Sequence, residues 1–308
     1  MPENTGSGAA VRFDVTFASR DGRDLQVDIY DPAGPDHHRV AVLVLHPGGW
    51  ANGDRKMVQP QCEALARRGF TALAVEYRLV PEAPWPAQLA DVKTAIRWTL
   101  GHADQLGIDP DQLVLQGHSA GAHLALLAAG TCGRGDLDPD FDRQAPAGPI
   151  AAVVAYYPPV LLDPERAVPD MSAGLSAAVL AALRAPDGSL PAGMLLADAT
   201  TADAAAAASP LNYAADLPPT VLFHGTSDSM VAPAGSEALH KKMSAAGLAS
   251  ELHLIAGVDH SFVFVPSLNE VCAAVAGSFL SRYVIDPKGF AAAEARANPI
   301  VAARGGVS

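Results

Sequence analysis

The residues of this chain best suited to chemistry are Gly117-His118-Ser119-Ala120-Gly121. A serine between two glycines suits covalent nucleophilic catalysis when the segment joins a strand to a helix. Both flanks have that character. Leu113-Val114-Leu115-Gln116 before it is a short buried-strand pattern. The Ala/Leu-rich run 122–129 after it is a helix pattern closed by Gly130. In such a turn Gly117 and Gly121 leave room where a side chain would strike the neighbouring strand or helix. The hydroxyl then projects at the carboxyl end of a sheet, in front of a helix amino terminus that favours negative charge. Chance alone can place this pentapeptide pattern in a chain with 27 glycines, so the flanks carry the reading.

Serine is a weak nucleophile until a base takes its proton, and the base needs a carboxylate to orient it. Of the 10 histidines, His260 lies on a loop just past the strand-like run 251–255. Asp228 holds the matching place past the strand-like run 220–224. The chain order Ser119, Asp228, His260 differs from the orders of chymotrypsin and subtilisin. Asp259 competes as the acid, but adjacent loop residues seldom face each other well, so Asp228 is expected to orient His260. The oxyanion formed by attack needs N–H donors. The buried-strand run 40–45 leads into His46-Pro47-Gly48-Gly49-Trp50, where two glycines let amides turn toward a cleft. Pro47 has no N–H. Gly48, Gly49 and Ala120, the residue after the serine, are the expected donors. His46, His118, His123 and His224 are read as structural, with His46 and His224 bracing their loops. Ser227 and Ser261 are read as polar loop groups.

These motifs join others. His46 to Trp50, Tyr77-Arg78-Leu79-Val80-Pro81-Glu82, Asp109-Pro110-Asp111, Gly117 to Gly121, Ser209-Pro210-Leu211 and His224-Gly225-x-x-Asp228 together resemble the α/β-hydrolase serine esterases. The branch resembled is that of the hormone-sensitive-lipase-like and feruloyl/acetylxylan esterase-like carboxylesterases, with arylformamidase-like enzymes close by. The resemblance covers residues 11–284 of the chain. It implies an α/β-hydrolase fold: a mostly parallel eight-stranded sheet, helices on both faces and a small helical cap. It also implies a serine carboxylesterase that cleaves short-acyl or aryl esters of small molecules through an acyl-enzyme, with no cofactor and no metal. The family's oxyanion loop reads His-Gly-Gly-Gly. Here Pro47 replaces the first glycine, at a position whose N–H is not among the implied donors. A second departure is that His46 falls too early for amino-terminal cap helices, which argues against a full lid and long-chain lipase activity. The same groups could serve an arylformamidase-like amidase or a peptidase. A non-catalytic ligand-binding homologue is disfavoured because nucleophile, base, acid and glycines are all present. Trp50 and Tyr157 are candidates to line the substrate cleft, although core packing accounts for them equally well.

Composition narrows the class without choosing a chemistry. The 308 residues are 49% apolar and 18% charged, enough apolar content for a large core. The formal net charge of −12 is scattered along the chain, which disfavours nucleic acid and stable membrane association as partners. Cys62, Cys132 and Cys272 are odd in number and lack metal-ligand spacing. They are read as reduced thiols, and with a start that is neither basic nor apolar they suggest a cytoplasmic location. Asp136, Asp138, Asp140 and Asp142 alternate as in a calcium loop. An EF-hand, however, needs glycine where Phe141 stands and glutamate where Ala147 stands, so a solvated surface loop is expected. A homo-oligomer stays open.

The elements that must position these groups follow one rhythm. Residues 1–10 are polar and Gly-rich and expected to be disordered. Runs 11–17 and 25–30 alternate about the Asp21-Gly22 turn and predict an antiparallel pair. Strand 40–45, a helix near 57–68 ending at Gly69, strand 71–75 and a long helix over 87–105 follow. Its apolar face carries Leu89, Val92, Ile96 and Leu100. Strand 112–116, the elbow helix and strand 150–156 continue the alternation, which implies a parallel sheet covered on both faces within one domain spanning 1–308. The rhythm breaks at 160–208, rich in Ala and Pro with Met171, Leu175, Leu180, Met194 and Leu195. This stretch is read as a small, mobile helical cap over the cleft. Residues 285–308 form an Ala-rich tail of undisclosed role.

Overall fold

The computed structural model describes residues 10–33, 37–138, 148–172, 174–197 and 200–305. Asp140, Phe141, Asp142, Ala147 and residues 1–9 of the amino-terminal stretch lie outside them. The strands of the main sheet are β1 (Val11–Arg20), β2 (Arg23–Tyr30), β3 (Ala41–Leu45), β4 (Thr71–Val75), β5 (Leu113–His118) and β6 (Ala152–Tyr156). After the two-residue strands β7 (Leu162–Asp163) and β8 (Leu190–Pro191), β9 (Thr220–Gly225) and β10 (Ser250–Ile255) complete it. Its eight strands run in the order β1-β2-β4-β3-β5-β6-β9-β10. β1 and β2 pair antiparallel, as expected, and β2 also pairs antiparallel with β4. Their hairpin turns at Asp21 and Gly22, both at positive φ (53° and 79°), the turn whose twist suits adjoining strands. All other neighbours are parallel.

Every residue of β3, β4, β5, β6 and β9 is buried, although β4, β5 and β9 include polar residues such as Thr71, Gln116 and His224. A parallel sheet covered on both faces requires this, because neither face meets water. On one face pack α2 (Ala87–Gly101), α4 (Ala120–Gly130) and α8 (Ala234–Ala245), through Leu89, Val92, Ile96, Leu124, Leu239 and Met243. On the other pack α1 (Gln59–Ala66) and α9 (Pro266–Leu280), through Cys62, Leu65, Cys272 and Phe279.

Three expected helices differ at their ends. The helix near 57–68 opens as a tight turn at Arg55–Val58 capped by Asp54, and α1 itself spans only Gln59–Ala66. The long helix breaks after α2. His102 leaves helical geometry, its Nδ1 bonding the Trp98 carbonyl at 2.7 Å, and a short α3 (Ala103–Leu106) follows. Gly101, a poor helix former, makes that break cheap. Gly130 is the last residue of α4 rather than the residue beyond it, and Thr131 takes the cap position.

Residues 160–208 hold α5 (Ala177–Leu183), α6 (Gly193–Leu196) and α7 (Ala202–Ala207) beside the small β7–β8 pair. Leu183, Leu190, Leu195 and Leu196 are buried and join the core on the α4 face, while Met171 and Leu175 are exposed. Ser209 staples the two ends of this stretch: its Oγ accepts from the Leu162 N–H (3.0 Å) and donates to the Ala205 carbonyl (2.7 Å). The tail forms α10 (Pro287–Ala297), with no buried residue, and α11 (Pro299–Gly305). Among the described residues no helix is long and apolar enough to cross a membrane.

Candidate active site

Parallel register brings the chemistry to one edge of the sheet. Leu45, the last residue of β3, pairs with Gly117, and His118 of β5 pairs with Tyr156. Gly225 of β9 pairs with Ile255 of β10. The loops carrying Gly48, Ser119, Asp228 and His260 therefore leave neighbouring strands at their carboxyl ends.

Ser119 sits between β5 and α4 at φ 52°, ψ −117°, a backbone state that costs a non-glycine residue about 1–3 kcal/mol. The surroundings enforce it. A side chain on Gly117 would meet the Gly121 carbonyl oxygen at 2.3 Å, and one on Gly121 would meet the Leu45 carbonyl oxygen at 2.4 Å. Strand, elbow and helix can approach this closely only through those glycines. Ser119 also stands at the amino terminus of α4, whose partial positive charge favours an anion there.

The structure brings Ser119, His260 and Asp228 into one hydrogen-bonded line. His260 Nε2 lies 3.0 Å from Ser119 Oγ, and His260 Nδ1 lies 2.7 Å from Asp228 Oδ2. A carboxylate only accepts, so Nδ1 carries the proton and Nε2 offers its lone pair to the serine hydroxyl. Asp228 is fully buried, and its Oδ1 accepts the N–H groups of Met230 (2.9 Å) and Val231 (2.8 Å). Burial alone would push its carboxyl up. Hydrogen bonds from His224 and His260, the charge of His260 and the Val231 N–H outweigh burial and hold it well below the usual carboxylate range. Asp259 is turned elsewhere. Its carboxylate accepts the Ser229 N–H (2.7 Å), the Ser229 hydroxyl (3.1 Å) and the backbone N–H of His260 (2.6 Å), so it fastens the loop.

The loop after β3 faces the elbow. Gly48 has φ +134°, and a side chain there would overlap the Asn52 carbonyl oxygen at 1.9 Å, so only glycine fits. The Gly48 carbonyl is held by the N–H groups of Ala51 and Asn52. Among the described residues, no protein acceptor takes the N–H of Gly48, Gly49 or Ala120, whereas the Ser119 N–H is spent on the Tyr156 carbonyl. Tyr77 anchors the loop by donating to the His46 carbonyl at 2.8 Å, and the Val80 N–H bonds the Trp50 carbonyl at 3.0 Å. Arg78 clamps this stretch to α2 through a bidentate pair with buried Asp91.

Trp50 and Tyr157, read either as cleft-lining or as core, are both fully buried and show no surface to solvent, the core placement. The Trp50 indole donates to His123 Nδ1 at 3.3 Å, and His123 Nε2 donates to the Ala208 carbonyl at 2.7 Å. The loop after β3, α4 and the end of α7 are thereby tied together. Tyr157 packs its ring against His260, centroids 4.6 Å apart, and against Phe262. Sequence reasoning missed the contact of His224 with the acid and the position of Met194. The spacing of His224 four residues before Asp228 was the available signal. Met194 Cε lies 3.8 Å from where a side chain on Gly49 would begin, so α6 touches the loop after β3. Asp138 is buried and paired with Arg97. Among the described residues no group of three or more His, Cys, Asp or Glu is placed to hold a metal.

With this geometry in view, residues 27–243 match the model of the BD-FAE family. The chain belongs to the BD-FAE family. Its fold is that of the α/β-hydrolase esterases. Esterase 2 of Thermogutta terrifontis in its native form is 29% identical, with a TM-score of 0.70 over 92% of this chain and 95% of that one. The same esterase with bound propionate aligns with a TM-score of 0.69 at 28% identity, over 91% and 96% of the two chains. Esterase LipQ of Mycobacterium tuberculosis is 31% identical over 233 residues, 74% of this chain and 52% of LipQ. Ethyl acetate hydrolase of Pseudomonas putida is 36% identical over 119 residues, 38% of this chain and 37% of that protein. The chain thus spans about half or less of these two relatives.

Three buried histidines near the site link it to acid stability. Burial lowers His46 to about 4, His118 to about 3 and His123 to about 4, each from an ordinary 6.5. The folded chain keeps them neutral, while the unfolded chain protonates them below about pH 6.5. Their full contribution is present above that pH and is lost as pH falls toward about 4. Each proton bound on unfolding steepens the loss by about 1.4 kcal/mol per pH unit. Urea midpoints are therefore expected to drop steeply between about pH 6 and pH 4.5, and a flat profile would refute neutral burial of all three.

Proposed function

We propose that the chain is a serine carboxylesterase acting on short-acyl or aryl esters of small molecules. The observation that carries this reading is the unbroken line Ser119 Oγ–His260 Nε2, His260 Nδ1–Asp228 Oδ2 at 3.0 and 2.7 Å. Ser119 Oγ attacks the acyl carbon as His260 Nε2 takes its proton. The resulting oxyanion accepts N–H groups of Gly48, Gly49 and Ala120. Collapse expels the alcohol, which leaves with the proton from His260. Water, deprotonated by His260, then attacks the acyl-enzyme, releases the carboxylic acid and restores Ser119. Asp228 stays ionised throughout, fixing the His260 tautomer and stabilising its charged form. In this reading the chain is one α/β-hydrolase unit, with 160–208 inserted as a cap whose Met194 lies against Gly49. The free thiols of Cys62, Cys132 and Cys272 suit a reducing, cytoplasmic setting.

Short acyl groups are supported by the propionate- and butyrate-bound states of the Thermogutta esterase and by the ethyl acetate hydrolase relative. The test is a chain-length series of p-nitrophenyl esters beside emulsified triglyceride. Activity is expected to peak between acetate and butyrate and fall by roughly tenfold or more at long chains, the scale on which methylenes are discriminated. Faster hydrolysis of emulsified long-chain fat than of soluble short esters would overturn the substrate reading.

A further inference from the structure

Asp228 carries a second histidine. His224 lies on β9, wholly buried. Its Nε2 is 3.2 Å from Asp228 Oδ2 and 2.9 Å from the Val231 carbonyl oxygen. Both neighbours only accept, so the proton of the neutral ring sits on Nε2 between them. Nδ1 is then a lone pair, and Ser236 Oγ, buried at the start of α8, donates to it at 2.8 Å. The tautomer is therefore set from both sides of the ring.

We propose, building on the esterase reading above, that His224 is a positioning residue for the reaction. Its Nε2–H steadies Asp228 Oδ2 opposite His260 Nδ1 and keeps that carboxylate charged where no solvent reaches it. A loop brace would need only the bonds to Val231 and Ser236. The third contact falls on the acid, on the same oxygen that holds His260. His260 bonds Oδ2, the Met230 and Val231 N–H groups bond Oδ1, and the His224 N–H, whose main bond is to the Val231 carbonyl, stands 3.2 Å from Oδ2 as a further donor. A buried charge persists only when so compensated. The other groups with an electrostatic link to Asp228 give no help. Asp259 repels its charge, and the Tyr157 phenol stays neutral because burial pushes it up. The polar contacts Ser236–His224–Asp228–His260–Ser119 thus connect α8 to Ser119, the His224–Asp228 step at 3.2 Å being the longest.

Two substitutions separate positioning from bracing. In His224→Gln the amide nitrogen lies as many bonds from Cβ as Nε2 does, so it can still donate to Asp228. In His224→Asn the amide nitrogen matches only Nδ1, on the Ser236 side. His224→Asn is expected to lower kcat on a soluble aryl ester by roughly 10–100-fold, the scale seen when an outer partner of a functional side chain is lost. KM should stay within about twofold, since uniform binding is untouched. The acid limb of the kcat/KM profile, set by protonation of His260, should move to higher pH, because a carboxylate with one donor fewer attracts the His260 imidazolium more strongly. His224→Gln should recover most of kcat and the wild-type acid limb. Folded Asn and Gln variants with the same kcat and pH profile would overturn the proposal. If the Asn variant does not fold, nitrogen-15 NMR of the wild-type ring decides: a proton on Nε2 across the active pH range is expected, and a proton on Nδ1 overturns it. A null result at His224 with an inactive Ser119→Ala leaves the esterase reading standing. An active Ser119→Ala removes that reading itself.

Discussion

Ser119→Ala is expected to lower kcat for ester hydrolysis by about 10⁴–10⁶-fold while leaving the fold intact. The size follows from what the hydroxyl does. In the proposed reaction it is the atom that forms the covalent bond, and no other described serine stands within hydrogen-bond reach of His260 Nε2. The residual rate would come from oxyanion donors and substrate binding alone. Folding should survive because Ser119 is held by its backbone. Its N–H bonds the Tyr156 carbonyl and its carbonyl accepts the His123 N–H. The positive φ of Ser119 is kept by the close approaches at Gly117 and Gly121, and alanine bears the same strain as serine there. An organophosphate should label the wild type at Ser119 and leave the alanine variant unlabelled. A folded alanine variant keeping a tenth of wild-type activity would sink the mechanism.

The parts of the molecule most legible in the sequence are those where burial leaves little choice of residue. The runs that became β3 and β6 are wholly apolar, and β5 and β9 each carry a three-residue apolar core, because both faces of the central sheet are covered. Their carboxyl ends then say where loops must begin: Ser119 follows β5 and Asp228 follows β9 within a few residues, while His260 follows the less buried β10. That is why side chains 32 and 141 residues apart could be grouped before any coordinates. What could not be read depends on approach in three dimensions. Trp50 next to a glycine-rich loop looks the same in sequence whether it faces a cleft or donates to His123 beneath it. Met194 sits in a low-complexity stretch with no periodicity to say that it lies against Gly49. The break between α2 and α3 depends on a local bond of His102 that competes with the helix.

The resemblance motifs gain physical content in the same way. Ser209 of Ser209-Pro210-Leu211 ties the two ends of the inserted stretch. Tyr77 and Arg78 fasten the oxyanion loop to α2. Asp109 accepts the Asp111 N–H at 3.0 Å and so shapes the turn entering β5. Each fixes a loop whose displacement by about an ångström would misplace the nucleophile or its donors, an error that costs on the order of 10²-fold in rate.

Asp228→Asn and Asp259→Asn should differ by orders of magnitude, although both aspartates lie beside His260. Asp228→Asn keeps size and most packing but removes the negative charge that stabilises the His260 imidazolium. It also lets an amide N–H face Nδ1, which favours the tautomer that cannot accept the serine proton. The same change in an analogous triad costs about 10⁴, so a loss in kcat on the order of 10³–10⁴ is expected. Stability should fall as well, because buried Asp228 accepts two backbone N–H groups whose partner would change from a charged to a neutral oxygen. Asp259→Asn touches only the loop. Its amide oxygen can still accept the Ser229 and His260 N–H groups that the carboxylate now holds. A loss within about tenfold is expected there, as for other exposed substitutions away from the reacting atoms. Both variants should be measured on one soluble ester, with circular dichroism to verify folding. A crippled Asp259→Asn beside a nearly active Asp228→Asn would reverse the assignment of the acid. It would also remove the carboxylate on which the role of His224 depends.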